Sequence, residues 1–363
     1  MKVLLLANNE YTIYGFRREL IDKLLELGHE THISFPVGEY TPYFLEKGCQ
    51  IHDLSISQHG MNPIKDISLV FQYIRLIKKV KPDFVLTYTI KPNVYGGFAC
   101  GLLKKPYAAT ITGLGAAFEK NGLMTRLALF LYKMGLRKSS TVFFQNKSHS
   151  ELFNKNNIAK GKHQLVSGSG VNLKVHVFEE YPPDNKTSFL FVGRVMKDKG
   201  IYELVEAFKN KSTNKSNIEL KVVGPASEND EINIKEFEEQ GILTYYGKQS
   251  DVHKFMKDAH AIVLPSYHEG MANVLLEAGA CGRPVIASDI PGCREAFEEG
   301  MSGFGVEPQS AESLSNAINK FLDLSYEQKK QMGINARQKI ENDFDRNIVV
   351  NTYINIINKY ANK

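Results

Sequence analysis

A strand, a polar loop, a helix and a second strand follow one another within residues 262–286. The apolar run Ala261–Leu264 predicts a buried strand, which Pro265-Ser266 ends. A helix is predicted from about Met271 to Cys281, because Gly282 supplies the usual C-terminal stop. Such units build parallel sheets with helices on their faces. The helix start is therefore expected at the carboxyl ends of the strands, where these sheets bind ligands.

The start of this helix has the composition of an anion site. Small Gly270 precedes it, and its first N–H groups are predicted to be free to meet a phosphate. They belong to Met271, Ala272, Asn273 and Val274. Glu269 and Glu277 lie at most ~12 Å apart if the span is helical, and a carboxylate can accept two hydrogen bonds from a sugar diol. Taken alone, the two glutamates are better explained as residues that complement the helix dipole.

The longer string decides between these readings. Glu269-Gly270-x-x-Asn273-x-x-x-Glu277-Ala278, followed by Ala280-Cys281-Gly282-x-Pro284-Val285, resembles the E-x7-E signature of glycosyltransferase family 4. Members of that family are retaining nucleotide-sugar enzymes of GT-B fold. The resemblance implies that Glu277 binds the ribose hydroxyls and that Glu269 contacts the transferred sugar.

The whole chain fits this class. Strand and helix patterns alternate through both halves, and 363 residues suit two α/β domains better than one. The resemblance implies GT-B architecture: two Rossmann-like domains whose parallel sheets face each other across a cleft. The expected boundaries are an acceptor-binding domain at 1–170, a linker at 171–187, a nucleotide-sugar domain at 188–345, and a last helix at 346–363 that crosses back to the first domain.

A second matching segment is Gly193–Gly200, which follows the apolar run Phe189–Val192. By resemblance, Arg194 and Lys199 are the basic pair that faces the donor diphosphate. A departing diphosphate gains negative charge and needs fixed cations or a metal. The only Asp-x-Asp, at 343–345, does not follow a strand, so no metal and no cofactor are expected.

Three further donor contacts follow from the resemblance. Gly15 is assigned to the turn after the first strand, and Gly247 with Lys248 is expected to line the base. The first turn has no G-x-G-x-x-G, which argues against a dehydrogenase.

The acceptor is expected to contact loops after two strands of the first half. These loops resemble segments of family members that assemble glycans on polyprenyl carriers, and the candidates are Thr89, Lys91, Asn93, Gly113 and Gly115. Lys91 can also be read as an ordinary exposed loop lysine.

Charge is unevenly distributed along the chain. Residues 1–170 hold 22 Lys and Arg against 12 Asp and Glu, whereas residues 171–363 hold 23 against 28. A basic first half suggests a membrane surface, a polyphosphate acceptor or nucleic acid, and no nucleic-acid-binding motif is present. The basic, apolar helix predicted at 123–138 fits either a membrane interface or a core-facing helix with a basic outer face. No run reaches the ~20 apolar residues of a membrane span.

The resemblance therefore implies retaining transfer of an N-acetylhexosamine from a UDP-sugar to a polyprenyl-diphosphate-linked saccharide, in capsule, O-antigen or related glycan assembly. The four cysteines lack paired or metal-like spacing, which fits the cytoplasm, here at the inner face of the plasma membrane. The alternatives are a nucleotide-sugar 2-epimerase of the same fold, a non-catalytic sugar-nucleotide-binding protein, and a synthase of the glycogen or sucrose type.

Overall fold

The structure is a computed structural model that describes residues 1–54, 63–114, 118, 122–212 and 217–361. The chain forms two compact units. The first comprises Met1–Ser169 with Arg346–Lys363, and the second comprises Gly170–Asp345.

The first unit has a parallel sheet of seven strands in the order β3-β2-β1-β4-β5-β6-β7. Its strands are β1 (Lys2–Leu6), β2 (Glu30–Phe35), β3 (Gln50–Asp53), β4 (Phe84–Tyr88), β5 (Tyr107–Ile111), β6 (Thr141–Phe144) and β7 (His163–Leu165). Its helices are α1 (Glu10–Glu26), α2 (Thr41–Glu46), α3 (Pro63–Val80), α4 (Gly97–Leu102), α5 (Leu123–Leu136), α6 (Lys147–Lys155) and α13 (Arg346–Ala361). A π-helical segment, Pro92–Gly96, precedes α4.

The last helix, α13, completes the core of the first unit. Its buried Val349, Tyr353 and Ile357 pack with the apolar side chains of β1, β2 and α1. The Tyr353 hydroxyl is hydrogen-bonded to the hydroxyl of Thr110 (2.7 Å), and the Arg346 guanidinium donates to the carboxylate of Glu19 (2.8 and 3.0 Å). Helix α13 is therefore held in the first unit by burial and by two specific polar contacts.

The second unit has a parallel sheet of six strands in the order β10-β9-β8-β11-β12-β13. Its strands are β8 (Thr187–Val192), β9 (Ile218–Val223), β10 (Thr244–Tyr245), β11 (Ala261–Leu264), β12 (Val285–Ser288) and β13 (Gly303–Val306). Its helices are α7 (Ile201–Ser212), α8 (Glu228–Glu239), α9 (His253–Lys257), α10 (Asn273–Ala280), α11 (Ala311–Asp323) and α12 (Tyr326–Asp343). Strands β8, β11 and β12 are buried, as their apolar sequences predict.

The segment expected to be a linker, 171–187, lies within the second unit. Arg283 is fully buried and donates to the carbonyl oxygens of Glu179 (3.0 Å) and Glu180 (2.8 Å). These bonds hold the segment against the second unit, although its prolines and polar residues resemble a flexible connection.

One predicted turn is wrong. Helix α1 begins at Glu10, because the side chain of Asn9 caps it by accepting a hydrogen bond from the N–H of Thr12 (2.8 Å). Gly15 is therefore inside the helix and not in the turn after β1, and the ring of Tyr11 lies over its Cα. The assignment of Gly15 as a turn glycine that meets the donor diphosphate is not supported.

Candidate active site

The candidate site lies in the second unit, where the strand order of its sheet reverses direction. Strands β8 and β11 are neighbours, and the chain moves outward from them to β9 on one side and to β12 on the other. In open parallel sheets, ligands bind beyond the carboxyl ends of the strands at such a point. The loops after β8 and β11 are 193–200 and 265–272, the two segments that carry the strongest sequence matches.

Two glycines bring these loops together. Gly200 has φ +72°, and a Cβ at this position would overlap the carbonyl oxygen of Pro265. Gly292, in the loop after β12, has φ +90°, and its Cβ would lie 2.7 Å from the carbonyl oxygen of Glu269. Only glycine combines this backbone conformation with such close approach. The three loops are thereby held against one another around Glu269.

Lys199 and Glu269 form an ion pair where these loops meet. Their side chains are 18% and 13% exposed, so solvent screens the pair only in part. Burial raises the pKa of the neighbouring Cys293 thiol well above its usual value, and the negative charge of Glu269 adds to this effect. The cation predicted to face the diphosphate and the carboxylate predicted to contact the sugar are thus in direct contact.

Tyr267 fixes the loop that carries Glu269. Its hydroxyl donates to Oε1 of Glu203 in α7 (2.6 Å), and its backbone N–H donates to the carbonyl oxygen of Asp198 (2.9 Å). Both partners belong to the region around Lys199, so these two hydrogen bonds join the loops. Sequence reasoning missed this link, because no motif joins residues 64 positions apart in the chain.

Helix α10 begins two residues later than predicted, at Asn273. The N–H of Ala272 donates to the carbonyl oxygen of Gly292 (2.8 Å), so the prediction that it is free to bind phosphate is wrong. The N–H groups of Asn273 and Val274 are in the first turn, where a helix offers them no acceptor. The side-chain oxygen of Asn273 is buried without a hydrogen-bond partner in the part of the chain that the structure describes. Glu277 follows one turn into α10 and is half-buried.

The remaining donor-side residues surround the same sheet edge. Arg194 is exposed two residues after the end of β8, and no hydrogen bond or ion pair holds its side chain among the described residues. Gly247 has φ +61°, and its carbonyl oxygen accepts a hydrogen bond from Gly224 (2.9 Å). Lys248 is exposed, and Gly270 and Met271 lie between Glu269 and α10.

The structure corrects two acceptor-side residues of the first unit. Asn93 is buried; its oxygen accepts a hydrogen bond from Thr87 (2.7 Å), and its nitrogen donates to the carbonyl oxygen of Thr110 (2.8 Å). It holds β4 to β5 and is not exposed to an acceptor. Lys91 is not an ordinary exposed lysine, because its side chain is only 12% exposed and pairs with Asp66 (3.0 Å).

The other acceptor-side candidates are Thr89, Gly113 and Gly115. Thr89 has φ +67°, an outlier for a β-branched residue, and its hydroxyl donates to the carbonyl oxygen of Tyr88. Gly113 is half-buried, whereas Gly115 lies outside the described residues.

Three neighbouring helices of the first unit expose large apolar side chains, with α4 packed against both α3 and α5. We call this set the apolar face: Ile64, Ile67, Phe71, Phe98, Leu102, Leu123, Leu127, Phe130 and Met134. The opposite side of α5 is buried through Tyr132 and Leu136, so this helix faces both the core and solvent. Among the described residues, no helix has the length and hydropathy needed to span a bilayer.

Comparison with known proteins identifies the class. The family described as "Glycosyl transferases group 1" matches residues 175–339, and the family described as "Glycosyl transferase 4-like" matches residues 2–146. The family matches identify the chain as a glycosyltransferase, and its two parallel-sheet units have the GT-B fold. More particularly, the second half of the chain matches the group 1 glycosyltransferases and the first half the 4-like glycosyltransferases, in agreement with the E-x7-E string.

Similar proteins include the N,N'-diacetylbacillosaminyl-diphospho-undecaprenol alpha-1,3-N-acetylgalactosaminyltransferase of Campylobacter jejuni. It is 28% identical, with 99% of each chain covered. The capsular polysaccharide biosynthesis glycosyltransferase CapM of Staphylococcus aureus is 26% identical over 78% of each chain. Among solved structures, Anabaena Alr3699/HepE in complex with UDP has a TM-score of 0.79 and 18% identity, covering 99% of this chain and all of that one. The predicted fold class and transferase activity are confirmed.

Proposed function

We propose that the protein transfers an N-acetylhexosamine from a UDP-sugar to a saccharide carried on a polyprenyl diphosphate. The name of the Campylobacter relative specifies such a sugar and such an acceptor, and that similarity spans the whole chain. The UDP complex of a protein with the same fold supports the choice of nucleotide. The capsular relative supports a role in assembling surface polysaccharide.

The observation that carries the proposal is the meeting of Lys199 and Glu269 beside the start of α10. In this proposal the diphosphate binds the first N–H groups of α10 and the side chains of Lys199 and Arg194. Glu269 accepts hydrogen bonds from the transferred sugar, and Glu277 accepts them from the ribose. Without a ligand the Lys199–Glu269 pair keeps each group in place, so little reorganisation is needed when charge develops on the leaving diphosphate.

The proposed reaction retains the anomeric configuration. The bond from the anomeric carbon to the leaving phosphate oxygen breaks as the acceptor hydroxyl attacks from the same face. That phosphate oxygen takes the proton of the hydroxyl, so no carboxylate base is required. The name of the Campylobacter relative specifies an alpha linkage, and an alpha-linked donor that gives an alpha product reacts with retention. Lys199 and Arg194 stabilise the leaving group in this proposal, so we propose that transfer needs no metal.

The test is transfer of labelled sugar from a panel of UDP-sugars to a synthetic polyprenyl-diphosphate saccharide, in buffer with a metal chelator. Lys199→Ala and Glu269→Ala should each reduce turnover at least about a hundredfold, the scale for loss of one group that stabilises transition-state charge. Lys197→Ala is the matched control, because Lys197 is exposed in the same turn. Full activity in either site variant would disprove the assignment.

Three arms of the experiment separate the other functions. A 2-epimerase converts the donor when the acceptor is omitted. A sugar-nucleotide-binding protein binds UDP but transfers nothing to any acceptor. A synthase of the glycogen or sucrose type accepts a water-soluble acceptor and does not need lipid. Proton NMR of the product gives the anomeric configuration directly.

We further propose that the first unit binds the inner surface of the plasma membrane through the apolar face. Lys65, Arg126 and Lys133 lie on the same helices, and the first half of the chain is basic, which suits an anionic lipid surface. Sedimentation with anionic vesicles should recover the wild-type protein. Phe130→Glu should remain in the supernatant, whereas Met301→Glu, an exposed apolar position of the second unit, should still sediment. Equal sedimentation of both variants would contradict this surface.

Thr89 and Gly113 remain the proposed acceptor contacts of the first unit. Strained backbone conformations such as that of Thr89 cluster at ligand-binding positions. Thr89→Gly should keep the fold, since glycine adopts positive φ at no steric cost, and should raise KM for the acceptor. An unchanged acceptor KM would remove Thr89 from the site.

A further inference from the structure

We propose that the second unit binds one divalent transition-metal ion of the zinc class through His176, His253 and Cys281. One ligand atom from each residue lies within 4.8 Å of the other two. Cys281 is buried and the two histidines are half-buried, so the position is shielded but not sealed. The three residues come from separate segments of the chain, so no sequence motif indicates the site.

The spacing matches what a tetrahedral ion requires. Cys281 Sγ lies 3.4 Å from His253 Nδ1. With metal–sulfur and metal–nitrogen bonds of about 2.3 and 2.0–2.1 Å, tetrahedral angles place these two atoms about 3.6 Å apart. A small adjustment of either side chain therefore brings both atoms to bonding distance from one ion.

Glu179 orients His253 as a metal ligand. Nε2 of His253 lies 2.9 Å from Oε1 of Glu179, and a carboxylate acceptor places the ring proton on Nε2. The lone pair of Nδ1 then points toward Cys281 Sγ and away from the carboxylate. A carboxylate behind a ligating histidine is the usual arrangement at protein zinc sites, where it fixes the ring and strengthens the ligand.

The protein backbone holds two of the ligands independently of any ion. One guanidinium nitrogen of Arg337 donates to the carbonyl oxygens of His176 (3.0 Å) and Ala280 (2.6 Å), which adjoins Cys281. The N–H of His176 donates to the carbonyl oxygen of Asn172 (2.9 Å). These bonds bring the two segments together, so an ion binds a largely formed set of ligands.

The chemistry of the ligands selects the ion. One thiolate and two imidazoles suit Zn²⁺ or Co²⁺ and do not suit Mg²⁺ or Ca²⁺, which prefer oxygen. Binding forms a metal–sulfur bond and two metal–nitrogen bonds, and the Cys281 thiol proton passes to solvent. A water molecule completes the fourth position, and no oxidant or reductant is needed.

The site is separate from the transfer reaction. Cys281 follows the last residue of α10, whereas the proposed diphosphate contacts lie at the first turn of the same helix. An ion here would join the segment before β8, the first residue of α9 and the end of α10. Its expected effect is to stabilise the second unit.

The test is titration of the tag-free, metal-depleted full chain with Co²⁺ alone, monitored by absorbance. We expect one equivalent to bind with a thiolate-to-Co²⁺ charge-transfer band, which Zn²⁺ abolishes by displacement. Cys281→Ser should lose this band, and His176→Gln should weaken binding or lose the band while the thiol remains. Cys49→Ser, which removes a buried cysteine of the first unit, should keep it.

Glu179→Gln adds a milder perturbation that leaves all three ligands in place. Loss of such a carboxylate weakens metal binding about 10- to 100-fold. Absence of the charge-transfer band in the wild-type protein would overturn the proposal. Its persistence in folded Cys281→Ser, or unchanged affinity in folded His176→Gln, would do the same.

Discussion

Replacing Lys199 with alanine removes one half of an ion pair whose carboxylate, Glu269, is only 13% exposed. A fully buried charge left without its partner costs about 3–5 kcal/mol. Since water still reaches part of this pair, we expect a smaller loss of about 2 kcal/mol in the free energy of unfolding. For a unit of this size that corresponds to a Tm lower by about 4–8 °C.

The double variant Lys199→Met with Glu269→Gln separates stability from catalysis. It removes both charges together, so most of the lost stability should return. Activity should not return, because the leaving diphosphate still lacks its cation. We therefore expect kcat to fall about 10²- to 10³-fold in both the single and the double variant.

The assay combines differential scanning calorimetry with steady-state transfer kinetics, and Lys197→Ala again serves as the control. The reasoning would be refuted if Lys199→Ala retained the kcat of Lys197→Ala. It would also be refuted if activity recovered together with stability in the double variant, since the pair would then have a structural role alone.

Three further predictions test other parts of the structure. Gly200→Ala should lower the free energy of unfolding, measured by chemical denaturation, by at least about 2 kcal/mol, because left-handed backbone strain adds to a clash with the backbone of Pro265. Gly241→Ala is the control: its φ is a similar +71° but the space around it is open, so it should cost about 1 kcal/mol. Lys91→Ala leaves the buried carboxylate of Asp66 without its cation and should lower the free energy of unfolding by about 3 kcal/mol. Lys91→Met combined with Asp66→Asn should recover most of this stability, and a double variant as unstable as the single one would contradict the pairing. Burial lowers the pKa of His149 to about 4, so as pH falls below about 6.5 the unfolded chain binds a proton that the folded chain does not. The free energy of unfolding should therefore decline by about 1–3 kcal/mol between pH 6.5 and 4, and His149→Gln should flatten this pH dependence.

Much of the secondary structure of the second unit was predictable, because it follows from local sequence features. The apolar runs of β8, β11 and β12 are buried strands, and the helix between β11 and β12 ends before Gly282 as its sequence suggests. The start of α10 was less predictable. The N–H of Ala272 donates to the carbonyl oxygen of Gly292, which lies in a loop twenty residues further along the chain. This N–H is therefore not available to a phosphate, and helix propensity could not have shown that.

Two residues of the first unit are less exposed than their sequence context suggests, and the physical cause is the same for both. Asn93 and Lys91 have polar side chains in a loop after a strand, which suggests exposure. Their partners, Thr110 and Asp66, are supplied by elements that are distant in sequence. Gly15 was assigned to a turn for a different reason. The cap of α1 at Asn9 is a local feature, but its sequence resembles an ordinary polar turn, so the start of the helix was not predicted there.

The histidine and cysteine cluster could not be read from spacing. The intervals between His176, His253 and Cys281 match no common metal motif, and only folding brings the three ligand atoms together. The same holds for the Lys199–Glu269 contact. The string around each residue indicated its chemistry, but the ion pair itself depends on close packing at Gly200 and Gly292.

The account depends on a diphosphate held by Arg194, Lys199 and the first turn of α10. Calorimetric titration of UDP and of uridine into wild type, Lys197→Ala and the Arg194→Ala, Lys199→Ala double variant tests it most directly. Each charged hydrogen bond contributes about 1.5–3 kcal/mol, so the double variant should bind UDP at least about 100-fold more weakly. Its affinity for uridine should equal that of wild type. A double variant that binds UDP as tightly as the Lys197→Ala control would contradict the account.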